Sequence, residues 1–128
     1  MLEANKITGR FDRVDMEEDG AVIMDFKTSE IKTQEMADKR VKENLQLSLY
    51  ALAYQKIFGK IPKKVALYFL ESGIMGSKEV EAEDLEEVKE KVKEVAAGLR
   101  QQNYAATPTY MACTYCAYNQ ICSCAVIR

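Results

Sequence analysis

The alternation of apolar and polar residues predicts two strands near the start of the chain. Residues 7–16 (ITGRFDRVDM) are rich in β-branched and aromatic side chains, and residues 21–28 (AVIMDFKT) form a second run of this kind. Between them stands EEDG at residues 17–20, in which Asp-Gly is a strong signal for a tight turn. The pattern therefore predicts a β-hairpin, followed by a polar loop over residues 28–38.

The middle of the chain shows helical spacing. From residue 38 to residue 58, apolar side chains surround most of the helix circumference, which is typical of a buried helix. Gly59 and Pro62 follow as helix-stop signals. The next apolar run, residues 64–71 (KVALYFLE), predicts a central strand, and residues 74–81 predict a short antiparallel partner for it.

Residues 83–102 predict an amphipathic helix whose charged outer face is a solvated surface. The positions on its apolar face are Leu85, Val88, Val92, Val95 and Leu99. This order of elements predicts an α/β fold, with a mixed β-sheet flanked by helices. We expect a core of residues 1–102 and an irregular, cysteine-bearing C-terminal tail, residues 103–128, that packs on the core.

Composition and charge limit the classes of protein to which this chain can belong. The chain has 128 residues, the size of one ordinary domain, and a formal net charge of −2. Contact with DNA must therefore come from a local basic patch or from bound metal rather than from the global field. No apolar stretch approaches the roughly 20 residues that span a bilayer, and no signal peptide is evident. We expect a cytoplasmic protein with no membrane contact.

The metal-ligating residue types are unevenly distributed. There is no histidine, which excludes His-based acid–base catalysis and His-containing metal sites within these residues. The four cysteines all lie in the last sixteen positions, as Cys113, Cys116, Cys122 and Cys124. In a chain without an export signal, such a cluster is more often a metal or iron–sulfur site than a disulfide framework.

The end of the second predicted strand carries an acid and a base two residues apart. Asp25 and Lys27 lie on the same side of that strand, about 7 Å apart. If the hairpin places Asp12 near Asp25, two carboxylates and an ammonium group converge on one pocket. Carboxylate oxygens suit Mg²⁺ or Mn²⁺, and Lys27 could orient a water molecule or neutralise charge on a phosphate. The alternative is a solvated ion pair at a strand end.

Three segments together resemble a known family. They are GRFDRVD at residues 9–15, VIMDFKT at residues 22–28 and NLQLSLYALAY at residues 44–54. In this order and spacing they are similar to the motifs of the RecB-type branch of the PD-(D/E)xK nuclease superfamily. The resemblance implies a restriction-endonuclease-like core.

The same resemblance implies a set of candidate catalytic residues. Asp12 and Asp25 would be ligands of Mg²⁺ or Mn²⁺, and Lys27 would be the catalytic lysine. Gln46 and Tyr50 match the helical motif of the family, and their spacing puts them on one helix face that could look into the active site or at DNA. The alternative is that Tyr50 is a core aromatic residue and that Gln46 satisfies a buried backbone group.

The cysteine segment CTYCAYNQICSC is similar to the C-terminal half of the iron–sulfur staple in several RecB-like nucleases, among them helicase–nuclease subunits and CRISPR-associated exonucleases. The resemblance implies a 4Fe–4S cluster on Cys113, Cys116 and Cys122, with a fourth cysteine far upstream. Only eleven residues precede Asp12 and none is cysteine, so Cys124 is the candidate substitute. Zinc is one alternative, and unligated thiols or adventitious disulfides are the other.

The resemblance implies a nuclease domain that hydrolyses phosphodiester bonds in DNA, joined to a helicase domain or subunit that works in repair or recombination. It also implies an upstream helix with a further His or Glu ligand. We therefore expect a fragment of a longer polypeptide or a shortened paralogue, in which the isolated chain need not be active. Two alternatives stay open: a nuclease-like domain that only binds DNA or scaffolds a complex, and a small zinc module.

Overall fold

Four strands form one mixed sheet in the computed structural model, which describes residues 5–126. The strands are β1 (Arg13–Glu17), β2 (Gly20–Lys27), β3 (Lys64–Phe69) and β4 (Ile74–Glu79). They lie side by side in chain order, and only the central pair, β2 with β3, is parallel. The predicted α/β class, the hairpin and the central position of β3 are confirmed.

The first strand is shorter than predicted, because it begins at Arg13 and not at residue 7. The backbone N–H of Phe26, which faces the first strand, donates to Oδ2 of Asp12 at 3.0 Å. In a longer first strand, a backbone carbonyl would accept from this N–H. The Asp12 side chain accepts from it instead, so the ladder stops beside Asp12. Residues 6–12 therefore form a lead-in segment outside the sheet.

The single helix predicted over residues 38–58 is wrong, since two helices occupy this region. They are α1 (Gln34–Lys42), which begins inside the predicted loop, and α2 (Leu45–Phe58). Asn44 caps α2, because its Oδ1 accepts a hydrogen bond from the N–H of Leu47 at 2.9 Å. A cap of this kind starts a new helix where apolar spacing alone suggests continuity.

The end of α2 agrees with the prediction. Gly59 has a φ of 73°, a left-handed conformation that glycine adopts without steric cost, and its N–H bonds to the carbonyl of Gln55 at 2.8 Å. The chain then enters β3, so α1 and α2 together form the crossover that a parallel pair of strands requires.

The core lies between one face of the sheet and the helices. Asp25, Leu67 and Gly76 stand in one row across the sheet and share this face. A Cβ at Gly76 would lie 2.5 Å from the carbonyl oxygen of Ala37, so glycine lets α1 approach β4 closely. The buried apolar cluster comprises Ala21, Ile23, Ile31, Ala37, Val41, Leu47, Ala51, Leu52, Tyr54, Val65, Leu67, Phe69, Leu85 and Val88.

The third long helix, α3 (Ala82–Arg100), matches its predicted range closely. Leu85 and Val88 are buried as expected, but Val95 and Leu99 are 50% and 58% exposed. For these two residues the predicted burial is wrong. Helical periodicity shows which positions share a face, but it does not show how far along the helix that face is covered.

The chain divides into two compact units, Met1–Glu94 and Val95–Arg128. The first contains the sheet, and the second contains the end of α3 and a short helix, α4 (Tyr110–Thr114). Over residues 103–126 the predicted irregular tail is thus irregular except for α4. The boundary predicted at residue 102, and the packing of the tail on the core, stay predictions. No helix within residues 5–126 has the length and apolarity needed to cross a bilayer.

Candidate active site

Asp12 and Asp25 meet at the open end of the hairpin. The ladder pairs Arg13 with Met24, so Asp12 and Asp25 are the next residues to face each other. Their carboxyl groups are in hydrogen-bonding contact. Asp25 is 3% exposed and is the only charged residue that is buried within residues 5–126. The juxtaposition on which the predicted metal site depends is therefore present.

The two carboxyl groups differ in their proton affinity. The Phe26 N–H lowers the pKa of Asp12, with further lowering from the contact with Asp25 and from the charges of Lys27 and Arg10. Burial raises the pKa of Asp25, and the contact with Asp12 adds to this, although Lys27 opposes it. Two acids at this range repel each other when both are ionised, and a cation between them relieves the repulsion.

Lys27 joins this acid pair to α2. Its Nζ lies 2.7 Å from Oδ2 of Asp25 and donates to Oε1 of Gln46 at 3.0 Å. About a third of the Lys27 side chain (32%) is exposed, whereas only 5% of the Asp25 side chain is. The ammonium group is therefore held at the boundary between the buried acid and the solvent.

Gln46 and Tyr50 continue the network along one face of α2. Nε2 of Gln46 donates to the hydroxyl of Tyr50 at 3.0 Å, while its Oε1 accepts from Lys27. Gln46 is exposed, so the alternative that it satisfies a buried backbone group does not apply. Its partners are these two side chains, and Tyr50 also packs against the core cluster. All five predicted site residues are thus joined by direct contacts.

Sequence reasoning missed two features of the site. One is the backbone N–H of Phe26, which fixes the Asp12 carboxylate. The other is Phe11, whose ring meets the ring of Tyr50 edge to face, with centroids 5.3 Å apart. Phe11 could have been found from the sequence, because it is an aromatic residue directly before the candidate ligand Asp12.

The acid pair is compatible with a hard divalent cation. Mg²⁺ is usually held by one or two carboxylates, together with waters and substrate phosphates, rather than by an all-protein cage. Within residues 5–126, no group of three or more His, Cys, Asp or Glu side chains is placed to hold a metal. Asp12 and Asp25 therefore fit an ion that keeps several positions open for water and phosphate.

The four cysteines do not form such a group either. Cys116, Cys122 and Cys124 are exposed, and Cys113 is partly buried. The described part of the chain contains all four, and no three of them gather around one point. As placed, these thiols do not fit a 4Fe–4S cluster or a tetrahedral zinc ion. The iron–sulfur and zinc hypotheses stay predictions.

Comparison with known proteins finds related sequences. A family model described as the PD-(D/E)XK nuclease superfamily matches residues 2–123. Over 65 residues the chain is 42% identical to an ATP-dependent helicase/nuclease subunit of Carboxydothermus hydrogenoformans, and over 79 residues it is 37% identical to the subunit of the same name from Clostridium perfringens. These matches cover 50% and 60% of this chain but 6% of each relative. The chain thus matches only a small part of the length of these relatives.

Proposed function

Because the chain belongs to the PD-(D/E)XK nuclease superfamily, we propose that it is a metal-dependent deoxyribonuclease domain. The proposal places phosphodiester hydrolysis at the Asp12–Asp25 pair. The observation that carries it is the contact of these two carboxyl groups beside the ammonium group of Lys27.

In this proposal Asp12 and Asp25 hold Mg²⁺ or Mn²⁺. The chemistry that such an ion would supply is Lewis-acid polarisation of the phosphodiester. The role of Lys27 is electrostatic, because a fixed ammonium group can orient the attacking water or stabilise charge that develops on the phosphate. Its contact with Asp25 keeps that ammonium group next to the acid pair.

Gln46 and Tyr50 act on Lys27 in this scheme. A free lysine side chain loses about 2 kcal/mol of rotamer entropy when it is held in one conformation. The amide of Gln46 accepts from Nζ, and the Tyr50 hydroxyl accepts from the other end of that amide. The pair therefore orients the ammonium group before any phosphate arrives.

The names of the relatives support a wider context. Since they are subunits of an ATP-dependent helicase/nuclease, we propose that this domain works beside a helicase domain or a helicase subunit. In that setting it would be an exonuclease on DNA in repair or recombination. A cytoplasmic location belongs to the same proposal, and so does an iron–sulfur or zinc site in the cysteine segment, which would require the thiols to move together from their present places.

A second candidate is a nuclease-like domain that binds DNA or scaffolds a complex without catalysis. One observation favours it: within residues 5–126 the acid pair has no third carboxylate, histidine or thiolate beside it. With only two protein ligands, the acid pair would bind a cation too weakly to support catalysis.

The test is cleavage of linear and single-stranded DNA with Mn²⁺, alongside Mn²⁺ binding by calorimetry. Lys27→Ala should lower cleavage by about 10²- to 10³-fold, the usual cost of losing one preorganised electrostatic group, and should spare Mn²⁺ binding. Lys32→Ala, an exposed lysine nearby in sequence, is the matched control and should cleave normally.

Asp25→Asn, purified in parallel, should bind no Mn²⁺ and reports any contaminating nuclease. Full cleavage by Lys27→Ala would overturn the role of the lysine. Mn²⁺ binding without cleavage by the wild type would favour the non-catalytic candidate, and no Mn²⁺ binding would remove the metal site.

A further inference from the structure

Asp12 lies one residue beyond the last pair of the β1–β2 ladder, so the sheet brings it opposite Asp25 without including it. β1 begins one residue later, at Arg13, and residues 6–12 form no regular secondary structure. The carboxylate of Asp12 nevertheless sits against the N–H of Phe26 and the carboxyl group of Asp25. Its backbone must therefore be held by a contact outside the ladder.

Phe11 supplies such a contact. Its ring meets that of Tyr50 at a centroid distance of 5.3 Å and an interplanar angle of 83°, the edge-to-face geometry that aromatic pairs favour. Phe11 is partly buried and packs against the core cluster. Gly9 lies close as well, since a Cβ there would be 3.5 Å from Cε1 of Tyr50. The lead-in segment is thus anchored on α2.

This anchor closes a ring of contacts. From the Phe11–Tyr50 ring pair, hydrogen bonds lead from Tyr50 to Gln46 and on to Lys27. Lys27 pairs with Asp25, and Asp25 contacts Asp12, which is the next residue after Phe11 in the chain. In a closed ring each contact limits the freedom of the others. Loosening the lead-in segment at Phe11 therefore releases Asp12 first, because the other members belong to β2 or α2.

We infer that Phe11 is a positioning residue, whose ring contact with Tyr50 holds the Asp12 carboxyl group in place against Asp25 and the Phe26 N–H. The consequence for metal binding and cleavage rests on the proposed function. The placement of Asp12 does not, because it can be observed in the metal-free protein.

The experiment compares three variants with the wild type. Phe11→Ala removes the ring, Phe11→Tyr keeps it, and Phe58→Ala is the matched control. Phe58 also forms a ring pair with a tyrosine of α2, at 4.6 Å from Tyr54, and it is the last residue of that helix, about two turns beyond Tyr50. The readouts are the chemical shift and exchange rate of the Phe26 amide proton, Mn²⁺ affinity by calorimetry, and kcat and KM for DNA cleavage.

Phe11→Ala should shift the Phe26 amide upfield and speed its exchange, while the amide of Val22, which faces β1 inside the β1–β2 ladder, keeps its shift. Mn²⁺ affinity should fall by about 10- to 100-fold, the usual effect of losing a group that orients a metal ligand. At saturating Mn²⁺, kcat should recover, with KM for DNA unchanged. Phe11→Tyr and Phe58→Ala should resemble the wild type in all readouts.

If Phe11→Ala does not fold, Phe11→Leu replaces it, with the same expected direction. An unchanged Phe26 amide in the folded variant, or an equal change in Phe58→Ala, would overturn the positioning role. A wild type that neither binds Mn²⁺ nor cleaves DNA would overturn the proposed function, and the Phe26 amide would still decide the role of Phe11.

Discussion

Oδ2 of Asp25 lies 2.7 Å from Nζ of Lys27, and the two side chains differ sharply in exposure, at 5% and 32%. The acid is thus buried on the core face of the sheet while its partner reaches solvent. Removal of Lys27 would leave a buried carboxylate without its cation, which is costly, whereas removal of the Asp25 charge leaves an ammonium group that water can solvate. In this protein the same acid also touches Asp12, so a cation bound between the two carboxyl groups would change its environment.

Mn²⁺ should stabilise the wild type through the acid pair. A ligand that binds only the folded state, present at 100 times its Kd, adds about 2.7 kcal/mol to the free energy of unfolding. Asp25→Asn should lose this increment yet melt no lower than the wild type without metal, because it removes a buried charge. Differential scanning calorimetry with and without Mn²⁺ checks both, and EDTA should reverse the wild-type shift.

Asp15→Asn is the control for this experiment, since Asp15 is a partly exposed carboxylate of β1 that pairs with Arg13. It should keep the full metal-dependent shift. Equal stabilisation of Asp25→Asn and the wild type would place the ion elsewhere.

Tyr50→Phe should separate the hydroxyl of Tyr50 from its ring. The variant keeps the edge-to-face contact with Phe11 but removes the acceptor for the Gln46 amide. Loss of one hydrogen bond is worth about 0.5–1.5 kcal/mol, so kcat should fall about twofold to tenfold with Mn²⁺ affinity unchanged. Tyr54→Phe, which loses a hydroxyl directed at Met16, should cleave normally. Weaker Mn²⁺ binding by Tyr50→Phe would show that the hydroxyl acts on the acid pair.

Asn44→Ala should destabilise the fold by about 1 kcal/mol, the typical effect of losing an N-terminal cap. Asn44 accepts from the N–H of Leu47 and thereby sets the start of α2, two residues before Gln46. Urea unfolding measures the change, with Asn44→Asp expected to retain most of the stability. Glu43→Ala, next to the cap, is a control that should stay close to the wild type. An unaffected Asn44→Ala would mean that packing alone starts α2.

Asp84 should make stability depend on pH at the start of α3. Burial opposes its ionisation, but the hydrogen bonds from Lys78 and from the Glu81 N–H outweigh it, so its pKa lies below the ordinary value of 3.8. Since the folded state has the lower pKa, this stabilisation is complete above pH 3.8 and is lost as the pH falls through the folded-state pKa.

Asp84→Asn should therefore be less stable than the wild type at pH 7, and the difference should shrink as the pH falls below the ordinary pKa of the carboxyl group. Chemical unfolding at several pH values measures this, with Glu83→Gln, in the same first turn of α3, as the matched control. A difference that grows as the pH falls would contradict the assigned direction.

Several elements followed from local sequence signals. The EEDG turn predicted the hairpin, and Gly59 predicted the end of α2, because each depends on the conformational preference of a few adjacent residues. The break at Asn44 was also local and could have been found, since a polar capping residue stood between the largely charged residues 38–43 (DKRVKE) and the apolar stretch that begins at Leu45. The exposure of Val95 and Leu99 could not, because it depends on what covers the helix.

The candidate site divides in the same way. The sequence by itself determined that Asp25 and Lys27 share a strand face, and the motifs indicated Asp12, Gln46 and Tyr50 as candidates. Only the tertiary structure decided that Gln46 bridges Lys27 and Tyr50, and that Phe11 contacts the tyrosine ring. Strand alternation is fixed by backbone geometry within a few residues, whereas the contacts of Gln46 with Lys27 and of Phe11 with Tyr50 join segments far apart in the chain and exist only once α2 has packed against the sheet.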